Sequence, residues 1–432
     1  MTNNEAQMHS LDIKKELEGK LVTLRGWVYA KRLHGKLIFI TLRDSAGLIQ
    51  ITINKEKVTE EEFDQAKDVT IESSVTIKGH ISSDLRAPRG VEVQCNSFNI
   101  NSMAHTDYPI RLGVGKEILL DKRHLQIRSP KVAAILKIRG AYINLVREWL
   151  NAHRFKEVTC PIFITAACEG GATLFQVKYF KKRAFLSQSV QLYQEAAIMS
   201  LEKVYSIEPS FRAELSRTRR HLTEFWQVEA EAANATLEDI MKIQEQMLTY
   251  ACKGVAEKCK EELKTLGLIY NPPKTPFLRI TYNEAIKKLQ NLDVKITWGS
   301  DFGAYEERVL SKQFKNPFFV IKYPKKCKAF YHEPDPKNSD VTLSVDLLAP
   351  EGFGEISGGG QRISDYDLLI QNIEEFGLNP SDYEWYIDLR KYGSVVHSGF
   401  GMGIERVIRW ILKLPHIRDA CLFPRTPVRV YP

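Results

Sequence analysis

Gly399-Phe400-Gly401-Met402-Gly403-Ile404-Glu405-Arg406 decides how the rest of the chain is read. In an extended segment the three alternating glycines fall on one face and leave it without side chains, so a planar ligand can lie against the backbone. Glu405-Arg406 then opens a helix running toward Lys413, which puts the Arg406 guanidinium at the end of the bare face. There it can stack on a purine or reach a phosphate. The spacing is neither a Walker loop nor the G-x-G-x-x-G dinucleotide fingerprint. Taken alone, three strand glycines equally suit a close packing site.

Two other segments carry matching chemistry. In Phe211-Arg212-Ala213-Glu214, read as a strand, Arg212 and Glu214 share one face, a guanidinium suited to phosphate beside a carboxylate suited to an amino group. The cationic run Leu215 to Arg220 and then His221-Leu222-Thr223-Glu224-Phe225 make this a hairpin with a basic tip and an aromatic return strand. Further on, Asp346 and Glu355 are expected at the ends of two neighbouring strands joined by a turn at Pro350 to Gly354, a placement that suits Mg²⁺ beside a nucleotide triphosphate. Gly358-Gly359-Gly360-Gln361-Arg362 follows.

Around these segments the pattern is mixed. Short β-rich runs at Leu21–Val28, Leu37–Leu42, Leu48–Ile53, Ser74–Gly79 and Val91–Gln94 predict a five-stranded barrel of the OB type. Apolar residues at helical spacing predict helices over Lys131–Asn151 and Leu237–Lys258, with strands between and after them but no regular βαβ alternation. The expected class is α+β in two domains: an OB-fold β-barrel over 1–103, a linker over 104–130, and a largely antiparallel sheet flanked by helices over 131–432.

The 61 Lys+Arg against 53 Asp+Glu give a net charge of +8, which suits a polyanionic partner. The seven cysteines show no C-x2-C spacing, so no zinc or redox site is expected. No run approaches the roughly 18 apolar residues of a membrane span, and the polar start lacks a signal-peptide core, so a cytoplasmic location is expected.

The three segments together resemble the signature motifs of class II aminoacyl-tRNA synthetases, in the aspartyl/asparaginyl/lysyl subgroup with an N-terminal OB module. The first motif is similar to the helix from Lys131 leading to Thr159-Cys160-Pro161, the second to Phe211–Phe225 and the third to His397–Arg406. The resemblance implies an ATP-dependent ligase acting on tRNA, with Mg²⁺, and a homodimer through the Pro161 region. Arg212 and Arg406 are implied as catalytic, and Arg212 is assigned the α-phosphate. Glu214 is assigned the adenine amino group, Phe225 and Arg406 the two faces of adenine, and Gly401 and Gly403 the ATP floor. Arg220 and His221 are assigned the γ-phosphate side, and Asp346 and Glu355 the metal. No general base is expected, because the reaction is in-line displacement at phosphorus driven by orientation and charge.

The same resemblance places an amino-acid pocket. Glu169-Gly170-Gly171-Ala172 is similar to a mobile loop whose glutamate takes the α-ammonium, and Ser189 and Gln191 line the same pocket. Aspartyl enzymes carry a lysine where this chain has Gln194, and a shorter aspartate where it has Glu229. Glu229 would accept from a side-chain amide and repel a carboxylate, with Arg362 donating to the amide oxygen, which favours asparagine over aspartate. In the barrel, Phe39, Gln50 and Glu92 match anticodon contacts, the first two to the middle base that the aspartate and asparagine tRNAs share, so the barrel alone does not separate the two; the expected partner, the asparagine tRNA, follows from the amino-acid pocket. An aspartyl enzyme charging both tRNAs, an asparagine synthetase sharing the catalytic domain, and a non-catalytic RNA-binding paralogue stay open. The barrel counts against the second, and the retained site charges count against the third.

Overall fold

Alternation of apolar and polar residues closes the first unit into a barrel. The computed structural model describes residues 8–110, 113–168, 173–216 and 218–432. The chain divides into two units, Met1–Lys122 and Arg123–Pro432. In the first, β1 (Leu21–His34), β2 (Leu37–Arg43), β3 (Leu48–Asn54), β4 (Ser74–Ser83) and β5 (Val91–Ser102) form a closed barrel in the order β1-β2-β3-β5-β4. Ile38, Ile40, Ile51, Ile53, Val75 and Ile77 point inward and are buried. The sequence reading missed α1 (Glu60–Asp68), which starts on a capping box between Thr59 and Glu62 and buries Phe63 and Ala66 against the barrel core.

The second unit is built on an eight-stranded sheet. Its strands are β6 (Lys156–Glu157), β7 (Lys203–Phe211), β8 (Glu224–Ala233), β9 (Leu278–Thr281), β10 (Phe318–Ile321), β11 (Ser344–Ala349), β12 (Gly354–Gln361) and β13 (His397–Gly403). They lie in the order β9-β10-β11-β12-β13-β8-β7-β6. Only the two outermost pairs, β9 with β10 and β7 with β6, are parallel. The predicted helices appear as α2 (Pro130–Ala152) and α4 (Leu237–Lys258), with α3 (Gln191–Leu201) between them in the chain. Ser129 caps α2 and Thr236 caps α4, each accepting from a backbone N–H of the first turn. Among the described residues no helix is long and apolar enough to cross a membrane.

The two faces of this sheet differ in kind. Val228, Ala230, Ala232, Val345, Leu347, Phe400 and Met402 face α2 and α4 and share one apolar core with Tyr142, Leu145, Met247 and Leu248. One residue out of phase, Gln227, Glu229, Glu231, Ser344 and Asp346 occupy the opposite face, and all are buried. Polar groups there are held in place by one another.

Gly399 shows how tight that face is. A Cβ at this position would lie 1.7 Å from Glu231 Oε2 and 2.6 Å from the Ala230 carbonyl oxygen. Its role is close packing, not a ligand floor, which corrects the reading of three equivalent glycines. Gly399→Ala is expected to cost about 1–3 kcal/mol of stability by forcing Glu231 aside, measurable as a lower midpoint of urea unfolding.

Candidate active site

One cavity on the polar face collects the residues singled out in the sequence. Ser189, Gln191, Gln194, Arg212, Glu214, Arg220, His221, Phe225, Glu229, Asp346, Glu355, Arg362, Gly401, Gly403 and Arg406 all line it. Glu169, with the loop to Ala172, lies outside the described residues.

The motif geometry differs from the strand reading in two places. β7 ends at Phe211, so Arg212 and Glu214 sit in the loop that follows and not on alternate positions of a strand. What holds Arg212 is its backbone N–H donating to the Thr223 carbonyl at 3.0 Å and its guanidinium lying 5.4 Å from the Phe225 ring centre. Asp346 is mid-strand in β11, opposite Gly358 of β12, while Glu355 is near the start of β12. They approach each other because Gly358 has no side chain: a Cβ there would stand 3.3 Å from Asp346 Oδ1 and 3.5 Å from Glu355 Oε1.

Three charges in this part of the cavity are paired. Arg406 Nη1 donates to Glu355 Oε2 at 2.9 Å, and Lys328 Nζ donates to both Asp346 oxygens at 2.7 Å. Arg220 is gripped by Glu307, with Nη1 to Oε2 at 2.6 Å, and the same oxygen accepts from the Glu355 backbone N–H at 2.6 Å. Burial pushes the Asp346 carboxyl up to about 6, Glu355 adding to the rise and Lys328 opposing it. Glu355 goes the other way, to about 2, because Arg406 and Arg220 outweigh its burial. His221 is lowered to about 4 by burial and by Arg406 and Arg220, so near neutral pH it offers a hydrogen bond and not a charge. Among the described residues no group of three or more His, Cys, Asp or Glu is placed to hold a metal.

At the other end of the cavity, Glu229 accepts from Ser189 Oγ, from the Val190 N–H at 3.3 Å and from Gln227 Nε2 at 3.2 Å. Gln194 Nε2 donates to Ser206 Oγ and to the Glu229 carbonyl, each at 3.0 Å. Arg362 is held by Glu231 through Nε and Nη2 at 3.1 and 3.0 Å. Its Nη1 takes no part in that pair.

Lys328, Glu231 and Glu307 escaped the sequence reading. Glu231 carried a signal, since it continues the Gln227, Glu229 alternation of β8. Glu307 sits on α5 (Ala304–Ser311), 87 residues from Arg220. No spacing rule links them.

In the barrel, Phe39, Gln50 and Glu92 share the outer face. Phe39 pairs across from Thr52, and Gln50 pairs with both Thr41 and Glu92. Glu92 Oε2 accepts from Gln50 Nε2 at 2.9 Å and from Thr52 Oγ1 at 2.6 Å, and the Arg32 guanidinium lies 5.1 Å from the Phe39 ring centre. Phe39 is out of phase with the buried Ile38 and Ile40, so it is not a core aromatic.

The family model for class II tRNA synthetases (D, K and N) matches residues 115–427, and an OB-fold nucleic acid binding domain matches residues 22–101. The chain belongs to the class II tRNA synthetases. It is 53% identical to the asparagine–tRNA ligase of Thermococcus gammatolerans over 430 residues, covering 99% of both chains. Among solved structures it is similar to asparaginyl-tRNA synthetase from Pyrococcus horikoshii complexed with asparaginyl-adenylate, with a TM-score of 0.95, 50% identity and coverage of 99% of this chain and 100% of that one. The aspartyl tRNA synthetase of Entamoeba histolytica gives a TM-score of 0.89 at 28% identity, covering 100% of this chain and 93% of that one.

Removing one member of a buried pair leaves the other without a counter-charge. Glu307→Ala is therefore expected to destabilise the catalytic unit by about 3–5 kcal/mol. Thermal unfolding measures that loss. The ATP KM, from pyrophosphate exchange at a temperature where the variant is folded, should rise as Arg220 loses its anchor.

Proposed function

We propose that the chain is an asparagine–tRNA ligase: it joins L-asparagine to ATP as asparaginyl-adenylate, releasing pyrophosphate, and then transfers asparagine to the 3′ end of the asparagine tRNA. The observation that carries this reading is the amino-acid end of the cavity, where Glu229 stands and Gln194 occupies the place of the lysine that aspartyl enzymes carry. Asparagine's amide can donate to Glu229 and accept from Arg362. Aspartate would leave Glu229 facing a like charge. A site that hydrogen-bonds both ends of an amide can reject the analogue by about 10⁴-fold.

In the first step the asparagine carboxylate oxygen attacks the α-phosphorus, a new P–O bond forms, and the bond to the β-phosphate oxygen breaks as pyrophosphate leaves. Arg212 binds the α-phosphate and offsets the charge that builds up there. Phe225 and Arg406 hold the adenine between them over Gly401 and Gly403, while Glu214 accepts from its amino group. Arg220 and His221 face the departing phosphates. Ser189 and Gln191, with Glu169, orient the amino acid. No side chain needs to move a proton, because the attacking carboxylate is already ionised.

Asp346 and Glu355 are the residues that would hold Mg²⁺. Their oxygens converge over Gly358, with Lys328 on Asp346 and Arg406 on Glu355, so the ion would share these carboxylates with the two cations. When bound, the ion supplies charge neutralisation for the triphosphate.

On the RNA side, Phe39 offers a stacking surface with Gln50 and Glu92 beside it, within a module over 1–103 joined by 104–130 to the catalytic domain over 131–432. We place the homodimer contact along α2 and the Pro161 segment, where the apolar Ile162 and Phe163 are exposed. A cytoplasmic location fits this function.

ATP–pyrophosphate exchange run in parallel with asparagine, aspartate and lysine is expected to proceed with asparagine alone; equal rates with aspartate would refute the substrate. Phe39→Ala is expected to keep that exchange but slow charging of the asparagine tRNA, since stacking on such a ring contributes about 1–3 kcal/mol per base. An unchanged charging rate would remove Phe39 from the RNA surface.

A further inference from the structure

Behind the amino-acid end of the cavity lies a second layer of charge. Glu195 on α3 is fully buried, and four groups converge on its carboxylate. Gln191 Nε2 donates to one oxygen at 3.0 Å. The other oxygen meets Tyr386 Oη at 2.7 Å, Arg390 Nη2 at 2.5 Å and His397 Nε2 at 2.9 Å. Tyr386 and Arg390 come from α6 (Glu384–Lys391), and His397 begins β13. Neither Glu195 nor Arg390 lines the cavity, so neither touches substrate.

Glu195 nevertheless acts on two residues that do line it. Its hydrogen bond engages the Gln191 amide nitrogen, which leaves the Gln191 carbonyl oxygen as the group offered to an ammonium. Its charge also reaches Arg362 and Glu231, the pair that frames the side-chain end of the cavity. Around that end, the carboxylates of Glu195, Glu229 and Glu231 stand against the guanidiniums of Arg362 and Arg390, with at most one further positive charge on His397. The cluster therefore carries no excess positive charge in either state of His397. Lys328 beside it is matched by Asp346, and His332 is kept neutral by burial and by Arg362. A neutral amide fits this balance, whereas a carboxylate adds a charge that nothing offsets.

We propose that Glu195 is a positioning residue for amino-acid specificity, cancelling the buried Arg390 charge behind the pocket and fixing the Gln191 amide so that the site takes asparagine and not aspartate. The inference rests on asparagine being the substrate. Without Glu195 the Arg390 guanidinium loses its direct partner and the cluster becomes one charge more positive, which would favour an acidic side chain in the cavity.

The test is the ratio of kcat/KM for asparagine to that for aspartate in pyrophosphate exchange, measured on the full chain. Glu195→Gln is expected to lower the ratio about tenfold or more, chiefly by lowering the KM for aspartate. Glu195→Asp should keep it within about threefold. The double variant Glu195→Gln/Arg390→Gln, which restores the wild-type net charge of the cluster, should bring the ratio back toward the wild-type value. A merely structural role would make the double variant worse than the single one. An unchanged ratio in Glu195→Gln, a double variant no better than the single, or loss of asparagine activation in both overturns the proposal. A wild-type enzyme that uses both amino acids equally refutes the substrate assignment instead, so the two failures read differently.

Discussion

The pairing of Glu231 with Arg362 on the buried polar face of the sheet is the contact on which the site depends. Both side chains are almost wholly removed from solvent, and two nitrogens of the guanidinium meet two oxygens of the carboxylate. Desolvating such a pair is costly and its net stabilisation is small, but losing one partner costs about 3–5 kcal/mol. The pair therefore cannot drift, and Arg362 presents a fixed edge to whatever enters the cavity. Gly399 makes room for it, because the Glu231 carboxylate lies where a Cβ would be.

The same logic runs across the face. Arg220 with Glu307, Arg406 with Glu355, and Lys328 with Asp346 form a chain of ion pairs lining the cavity, each matching a cation with a carboxylate. A nucleotide entering here does not meet loose side chains that must be ordered. It meets dipoles and charges already oriented, which is the condition under which electrostatic stabilisation costs little reorganisation during reaction. The matched charges also explain how so many ionised groups can sit in one buried region.

The opposite face of the sheet has a different task. Phe400 and Met402 alternate with Gly399, Gly401 and Gly403, so one short strand contributes to the apolar core under α2 and to the cavity above it. Strand periodicity lets seven residues serve both. It also means that a one-residue slip of β13 would exchange core for site, and the buried contacts on both faces oppose such a slip.

The segments Phe211–Phe225, Asp346–Arg362 and Gly399–Arg406 were legible in the chain as candidate site residues, since each packs its chemistry among near neighbours, and all three reach one cavity. The barrel strands and the helices α2 and α4 were equally legible, because period-two and helical patterns are local. Gln194 and Glu229 pointed to asparagine through the resemblance, by standing where aspartyl enzymes carry a lysine and a shorter aspartate. Only the tertiary structure could end β7 before Arg212, place Asp346 in mid-strand across from Gly358, and separate Gly399 from the other two glycines. Only it could bring Glu307 to Arg220, Lys328 to Asp346, and Glu195 to Arg390. Those contacts join residues far apart in the chain, and the force that selects them is the need of each buried charge for a partner, which a one-dimensional pattern does not record.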